Sequence, residues 1–248
     1  MSGPRPSSGL VARSRSAGRR AEAGPEAYTG SMSFLARLGS GTYRDRQEAG
    51  AVLGDLLTDY RERSDVVVLG LVRGGMPVAA EVARQLGVPL DVLVVRKLGV
   101  PWAPEVAFGA VGPQGVQVLN KSIADRLSRH DIDQVTRRET TEVRRRELAY
   151  RPDRPPLDLT GKVAIVVDDG LATGATARAA VEVARRMGAA SVVVAVPVGS
   201  VEAAGLLEQA ADRMICPITP RDFGAVSRFY EDFHQVTDSE VRDLLVSR

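Results

Sequence analysis

The chain alternates short apolar runs with segments whose apolar residues recur at helical spacing. Over residues 65–95, the run DVVVLGL precedes a predicted helix at 77–86, and the run PLDVLVV follows it. Short runs rich in β-branched residues are typical of strands that are buried on both faces of a parallel sheet. Gly87 follows the helical segment directly, at a position where glycine commonly ends a helix. The pattern therefore predicts a strand–helix–strand unit.

The same alternation returns in the C-terminal half of the chain. The runs KVAIVVDD, SVVVAVPV and DRMICPI are separated by predicted helices at 175–187 and 201–211. Strands that alternate with helices indicate an α/β fold, so we expect a Rossmann-like parallel sheet flanked by helices. An amphipathic helix over about 43–63 precedes the first strand, and we expect it to cover one face of the sheet.

The segment between the two halves interrupts this alternation. VAFGAVGPQGVQVLN predicts a β-hairpin that turns at GPQG, and GVPWAPEVAFG at its start is rich in glycine and proline. A charged helix is predicted from about Asp131 to Tyr150, and its mixture of Arg and Glu favours a solvated face with helical charge pairs. We therefore predict a β-hairpin insertion and a long surface helix between the two halves of the sheet.

Composition limits the class of protein. Of 248 residues, 44% are hydrophobic and 26% are charged, which suits a full hydrophobic core. Cys216 is the single cysteine and the sequence has two histidines, so we expect neither a disulfide framework nor a dedicated zinc site. A single thiol also favours a reducing, cytoplasmic compartment. No apolar run reaches the roughly 20 residues that cross a bilayer, so we expect no membrane partner.

Residues 1–31 differ in composition from the rest of the chain. They are rich in Ser, Gly, Pro, Ala and Arg without apolar periodicity, which predicts a disordered tail ahead of a folded domain at 32–248. Met32 is then a candidate start of translation. Because the tail holds five Arg and two Glu while the chain has a formal net charge of +2, the folded part is near neutral. We expect no specific nucleic-acid partner.

Polar chemistry follows three of the predicted strands, in LVRGG, VRKLG and DDGLATGAT. Ligands of open parallel sheets bind beyond the carboxyl ends of the strands. Asp168 and Asp169 come directly after VAIVV, and because neighbouring carboxylates resist burial we expect both to face solvent. Backbone N–H groups and threonine hydroxyls over 170–176 can surround a phosphate at the start of the next helix. The combination fits a sugar phosphate.

Other sites also place acids after a strand. A Walker B segment, a phosphoacceptor site or plain helix capping would produce similar residues. The sequence contains neither GxxxxGK[ST] nor GxGxxG, which argues against the P-loop and dinucleotide interpretations.

The segment VAIVVDDGLATGAT resembles the phosphoribosyl diphosphate (PRPP) binding motif of the type I phosphoribosyltransferases. The order of elements over about 40–235 is also similar to that family, and the chain is similar to its bacterial branch known as predicted phosphoribosyltransferases. The resemblance implies that Asp168 and Asp169 hold the ribose hydroxyls. It implies a 5-phosphate loop of Ala172, Thr173, Gly174, Ala175 and Thr176.

The diphosphate side is implied in the same way. Arg73 and Gly74 match the diphosphate loop of the family, which commonly contains a non-proline cis peptide. An ordinary Gly-rich turn is the alternative. Arg96 and Lys97 resemble the basic pair that meets the leaving diphosphate.

The resemblance further implies a flexible lid at 98–105 and a small C-terminal hood at about 217–248. We expect Trp102, Phe223 and Tyr230 to contact the acceptor, with plain packing as the alternative for the hood aromatics. Glu105 is a candidate proton partner or an ordinary solvated acid. Members that act on hypoxanthine and guanine usually carry Asp where this chain has Ala172, which puts a 6-oxopurine acceptor in doubt.

The implied activity is transfer of ribose 5-phosphate from PRPP to a nitrogen acceptor, with release of diphosphate. A nucleobase is the favoured acceptor, as in nucleotide salvage. The predicted catalytic residues are Asp168, Asp169, Lys97 and Glu105. Mg²⁺ is expected to bind mainly through PRPP, with no protein ligand assigned. The alternatives are a non-catalytic PRPP-binding regulator and transfer to a non-base amine, and a homodimer is a further hypothesis.

Overall fold

The computed structural model describes residues 41–246. The predicted tail at 1–31 and the candidate start at Met32 lie outside the described residues. The strands are β1 (Val66–Leu71), β2 (Leu90–Leu93), β3 (Arg96–Val100), β4 (Ala103–Val111), β5 (Gln117–Leu119), β6 (Val163–Val167), β7 (Ser191–Ala195) and β8 (Arg213–Ile215). The helices are α1 (Arg46–Leu56), α2 (Gly75–Leu86), α3 (Lys121–Ala124), α4 (Arg129–Tyr150), α5 (Ala175–Arg186), α6 (Val201–Ala210) and α7 (Asp238–Val246).

Five parallel strands form the central sheet in the order β2-β1-β6-β7-β8. From β1 the chain proceeds to β2 on one side, and from β6 it proceeds through β7 to β8 on the other. The strand order therefore reverses between β1 and β6, whose carboxyl ends lie side by side. The α/β class and the flanking helices predicted from the alternation are confirmed.

Both faces of this sheet are buried. Val66 and Val68 of β1 belong to the core that α2 and α7 cover, whereas Val67 and Leu69 belong to the core that α5 and α6 cover. All six residues of β1 are buried, since successive side chains of a strand point to opposite faces. This explains why the strands are almost continuously apolar in sequence.

A second, antiparallel sheet of β3, β4 and β5 forms the insertion. The hairpin expected around GPQG is confirmed, with a short 3₁₀ turn at Pro113–Gly115 between β4 and β5. The segment predicted as a loop-like lid, 98–105, is instead part of the β3–β4 hairpin. Leu98 and Val100 are buried, so alternate residues of β3 are anchored to the core and hold the segment in extended form.

The two predicted helices at the edges of the fold differ from expectation. α1 begins at Arg46, because the Asp45 side chain accepts a hydrogen bond from the Glu48 N–H and caps the helix. The charged helix α4 begins after Ser128, which caps it through the Asp131 N–H. Its face is not entirely solvated as predicted, because Glu139 is buried. No helix within residues 41–246 combines the length and apolarity needed to cross a membrane.

The close crossing of α1 and α2 provides a test of the packing. A Cβ added at Gly50 would lie 2.6 Å from the Val78 carbonyl oxygen, so we expect Gly50→Ala to destabilise the protein by about 2 kcal/mol through overpacking. Gly205→Ala in α6 is the matched control, since a Cβ there meets no atom within 4 Å. It should instead stabilise the helix by about 0.5–1 kcal/mol. Urea unfolding measures both values, and a neutral Gly50→Ala would contradict the crossing.

Candidate active site

Two of the three polar loops meet where the strand order reverses. The loop after β1 and the loop after β6 are in van der Waals contact: a Cβ added at Gly75 would lie 2.6 Å from the Val167 carbonyl oxygen and 2.8 Å from the Asp168 Cα. The Val72–Arg73 peptide is cis. A side chain in place of either glycine, Gly74 or Gly75, would displace the aspartates, so the glycines let the two loops share one crevice.

Asp168 and Asp169 occupy this crevice but are half-buried, rather than facing solvent as we expected. Burial raises the pKa of Asp168 well above its ordinary value, and repulsion by Asp169 raises it further. Burial also raises the pKa of Asp169, against the attraction of a cationic partner, Arg46. The prediction failed because the partner that tolerates this burial comes from a distant helix.

Arg46, in the first turn of α1, is that partner. Its Nε and one terminal nitrogen each lie 2.9 Å from Asp169 Oδ2, and its side chain is only 7% exposed. Another terminal nitrogen donates to the His234 carbonyl at 2.8 Å, and the guanidinium lies 3.9 Å from the centre of the Phe233 ring. Arg46 therefore connects the aspartate to the C-terminal segment.

Sequence reasoning missed Arg46. The residue lies 123 positions from Asp169, and its place on the predicted amphipathic helix carried no motif. Its only signal is a charged residue just after the Asp45 cap, which is far more often solvated than buried.

The aromatics of the hood pack around the same point. The Tyr230 hydroxyl donates to the Asp169 carbonyl at 2.7 Å, and its ring lies 5.6 Å from that of Tyr43. Phe223 stacks on Phe229 at 5.6 Å, and both Phe223 and Tyr230 are buried. This placement favours the packing alternative, and contact with an acceptor stays a prediction. Trp102 is 69% exposed at the turn of the β3–β4 hairpin.

The loop at 172–176 opens α5. Gly174 has φ of +69° and precedes the first helical residue, a backbone conformation that favours glycine. Ala172, Thr173 and Thr176 are exposed, and the Ser200 hydroxyl holds the loop by donating to the Ala172 carbonyl at 2.9 Å. The exposed threonines and the N-terminal N–H groups of α5 make this loop suited to an anion.

The basic residues predicted for the diphosphate line one cavity of about 640 Å³ beside this loop. Arg96 and Lys97 at the start of β3 share it with Val72 and Thr176, so three predicted elements of the site converge. Lys97 Nζ lies 3.7 Å from Glu105, whose side chain is 96% exposed. The exposure of Glu105 favours a solvated acid.

Arg73 extends from the cis-peptide loop toward the C-terminal helix. One of its terminal nitrogens lies 3.7 Å from Asp238 Oδ1, and the Tyr150 hydroxyl donates to the same oxygen at 2.7 Å. The hydrogen bond from Tyr150, together with the nearby Arg73, lowers the pKa of Asp238. Arg73 is thus held at the edge of the crevice by a carboxylate.

A divalent ion has few protein ligands to choose from here. Among residues 41–246, no group of three or more His, Cys, Asp or Glu side chains is arranged to hold a metal. Asp168 and Asp169 offer two neighbouring carboxylates. Mg²⁺ commonly binds through one or two carboxylates plus substrate phosphates and water, so this donor set fits an ion that arrives with its substrate.

Comparison with known proteins agrees with this geometry. The phosphoribosyl transferase domain family matches residues 40–234. Two curated proteins from Mycobacterium tuberculosis, of strains CDC 1551 and H37Rv, are each named "Putative phosphoribosyl transferase" and are 48% identical over 201 residues, which is 80% of this chain and 45% of theirs. The chain thus spans less than half the length of these relatives.

A crystal structure of the protein TT1426 from Thermus thermophilus is similar to this chain throughout. It is 42% identical with a TM-score of 0.77, and the alignment covers 83% of this chain and 98% of that one. A family match over most of the described residues, together with the crevice between β1 and β6, establishes that the chain belongs to the phosphoribosyl transferase domain family.

The raised pKa of Asp168 predicts a stability that depends on pH. An acid whose pKa is higher in the folded state opposes folding once it ionises, so this opposition grows as pH rises from 3.8 through the folded-state pKa. We expect Asp168→Asn to raise the Tm at pH 7 by about 2–4 °C, the shift that 1 kcal/mol produces in a domain of this size. The gain should shrink as the pH approaches 4. A gain that is independent of pH would contradict the burial of a charged Asp168.

Removal of Arg46 should have the opposite effect. Arg46→Ala leaves the Asp169 carboxylate buried without its cation, so we expect a loss of about 3 kcal/mol in the free energy of unfolding at pH 7. Arg44→Ala is the control, because Arg44 is an exposed neighbour that pairs with Glu48 at the surface. It should change stability by less than about 1 kcal/mol. Equal effects of the two substitutions would contradict the role of the Arg46–Asp169 pair.

Proposed function

We propose that the chain is a phosphoribosyltransferase that transfers the ribose 5-phosphate group of PRPP to a nitrogen acceptor, favoured to be a nucleobase, and releases diphosphate. The observation that carries the proposal is the meeting of two loops at the strand-order reversal. One brings the aspartates Asp168 and Asp169 together with an open phosphate loop, and the other brings Arg73. A hydroxyl-binding group, a phosphate cradle and a cation are the three recognition elements that PRPP requires.

The 5-phosphate would bind at 172–176. There the N-terminal N–H groups of α5 and the exposed threonine hydroxyls face a doubly charged group without any protein cation. Gly174 keeps the backbone accessible, and the Ser200 hydrogen bond to the loop fixes its shape before the ligand arrives. This preorganisation reduces the entropy lost on binding.

The ribose hydroxyls would donate to Asp168 and Asp169. Arg46 and the Tyr230 hydroxyl hold Asp169 from behind, so its carboxylate is oriented before the sugar binds. Cleavage of the bond between C1 and diphosphate develops positive charge on the ribose and negative charge on the leaving group. The carboxylates stabilise the first, and Arg73, Arg96 and Lys97 would stabilise the second. Bound Mg²⁺ would add neutralisation of the diphosphate oxygens.

The hairpin that carries Trp102 would close the site from above. Its tip is exposed and its base is anchored by buried Leu98 and Val100, an arrangement that permits movement of the tip on a fixed base. Closure would exclude water from the oxocarbenium-like centre, where hydrolysis competes with transfer. The acceptor would enter between this hairpin and the hood.

The aspartates provide the direct test of this proposal. We expect the folded double variant Asp168→Asn with Asp169→Asn to lose at least 100-fold in PRPP affinity by calorimetry, because each neutral amide is a weaker acceptor for the ribose hydroxyls. Asp55→Asn, at an exposed position on α1, is the control and should bind PRPP normally. Unchanged affinity in the double variant would refute the assignment of the ribose site.

Catalysis is tested separately by a screen of nucleobases and amines for PRPP-dependent release of diphosphate. Release with one acceptor supports transfer, and the double variant should abolish it. Tight PRPP binding with no release from any acceptor would favour a PRPP-binding regulator.

A further inference from the structure

We infer that the charged helix α4 forms the outer wall of the diphosphate subsite, with Arg138 and Arg146 as ligands of the diphosphate and Glu139 as the residue that positions Arg96. This inference rests on the proposed function and extends it to a helix that the PRPP motif does not contain. Sequence analysis interpreted the same helix as a solvated charged face.

The first observation is the cavity beside the cis-peptide loop. Arg138 and Arg146 line the same cavity of about 640 Å³ as Arg96, Lys97 and Val72. Arg138 and Arg146 lie eight residues apart, a little over two turns, so they project from the same side of α4. The helix therefore presents two guanidinium groups to the space that adjoins the diphosphate loop.

The second observation is the burial of Glu139. Its two carboxylate oxygens are divided between two arginines: Oε2 accepts from Arg96 Nε at 2.8 Å, and Oε1 accepts from Arg138 Nε at 2.9 Å. The Glu139 side chain is 7% exposed, whereas those of Arg96 and Arg138 are 39% and 71% exposed. A buried acid that holds both arginines by Nε fixes the direction of each guanidinium while its remainder stays accessible from the cavity.

The third observation links α4 to Arg73 of the diphosphate loop. Asp238, which contacts Arg73, also has its pKa lowered by the nearby charges of Arg145 and Arg146. Arg146 therefore borders the cavity on one side and the surroundings of Arg73 on the other. The cations of the loop, of β3 and of α4 surround one volume.

The charge of this cavity selects its ligand. Four cations line it, Arg96, Lys97, Arg138 and Arg146, against the carboxylates Glu105 and Glu139. Glu139 already serves two of the arginines, and Glu105 is 96% exposed on the hairpin. The surplus is positive and is spread over guanidinium groups, whose planar geometry suits the bidentate binding of phosphate oxygens. A diphosphate, with several negative charges on two adjacent phosphates, matches this arrangement.

The test compares three ligands that share parts of one molecule. Calorimetry with PRPP, inorganic diphosphate with Mg²⁺, and ribose 5-phosphate is applied to Arg138→Gln, Arg146→Gln and the double variant. We expect each single variant to weaken PRPP and diphosphate about tenfold or more, the loss typical of one charged hydrogen bond. The affinity for ribose 5-phosphate should stay within twofold, because that ligand does not reach α4.

Arg144→Gln is the matched control on the same helix. Arg144 is exposed and lines a different cavity, beside Gln114 and Leu148, so its loss removes the same charge from the wrong face. All three affinities should stay within twofold in this variant. A loss equal to that in Arg138→Gln would mean that overall charge alone is responsible, and would overturn the inference.

Glu139→Gln tests the positioning role separately. The amide keeps the size of the side chain and can still accept one hydrogen bond, but it cannot hold two arginines as strongly. We expect weaker binding of diphosphate with unchanged binding of ribose 5-phosphate and a circular dichroism spectrum like that of the parent. Equal weakening of both ligands would indicate a general structural role and contradict positioning.

Failure of this inference is distinguishable from failure of the proposed function. If the parent protein binds PRPP and ribose 5-phosphate, and the Arg138→Gln, Arg146→Gln double variant binds PRPP and diphosphate within twofold of the parent, only the role of α4 is refuted. If the parent protein binds neither PRPP nor ribose 5-phosphate, the PRPP site itself is refuted, and the assignment of α4 with it.

Discussion

The burial of two neighbouring carboxylates at the end of β6 is the constraint that organises this protein. Asp168 and Asp169 sit at the carboxyl end of a fully buried strand, and ionised acids are unfavourable there without a partner. Arg46 provides the charge, and the Tyr230 hydroxyl provides a further hydrogen bond to the Asp169 backbone. The first helix and the last loop of the fold therefore converge on one aspartate.

This convergence explains why the N-terminal and C-terminal segments of the domain pack together. Tyr43 forms a bridge with Tyr230, and their rings lie in contact while Phe233 covers the Arg46 guanidinium. A cation between aromatic faces and a buried carboxylate is stabilised on both sides. The cluster that was expected to stack on an acceptor thereby has a structural task, which is to keep the site acids in place.

The opposite side of the crevice shows the complementary arrangement. There the buried acid is Glu139, and it directs arginines toward a cavity instead of neutralising one within the core. The crevice thus has an acidic half beside β6 and a basic half beside α4 and β3. A ligand with ribose hydroxyls at one end and a diphosphate at the other matches this division of charge.

Sequence by itself determined the parallel sheet, the positions of its strand-end loops and the resemblance of VAIVVDDGLATGAT to a PRPP motif, because these depend on local periodicity and on residues close together in the chain. It could not identify Arg46 or Glu139, whose partners lie 123 and 43 residues away, since a charged residue on a helix has the same local pattern whether it is solvated or buried. The same limit explains the unexpected burial of Asp168 and Asp169 and the ordered β3–β4 hairpin. Only the tertiary structure decides which charges leave water, because burial is a property of what packs on a residue and not of its neighbours in the chain.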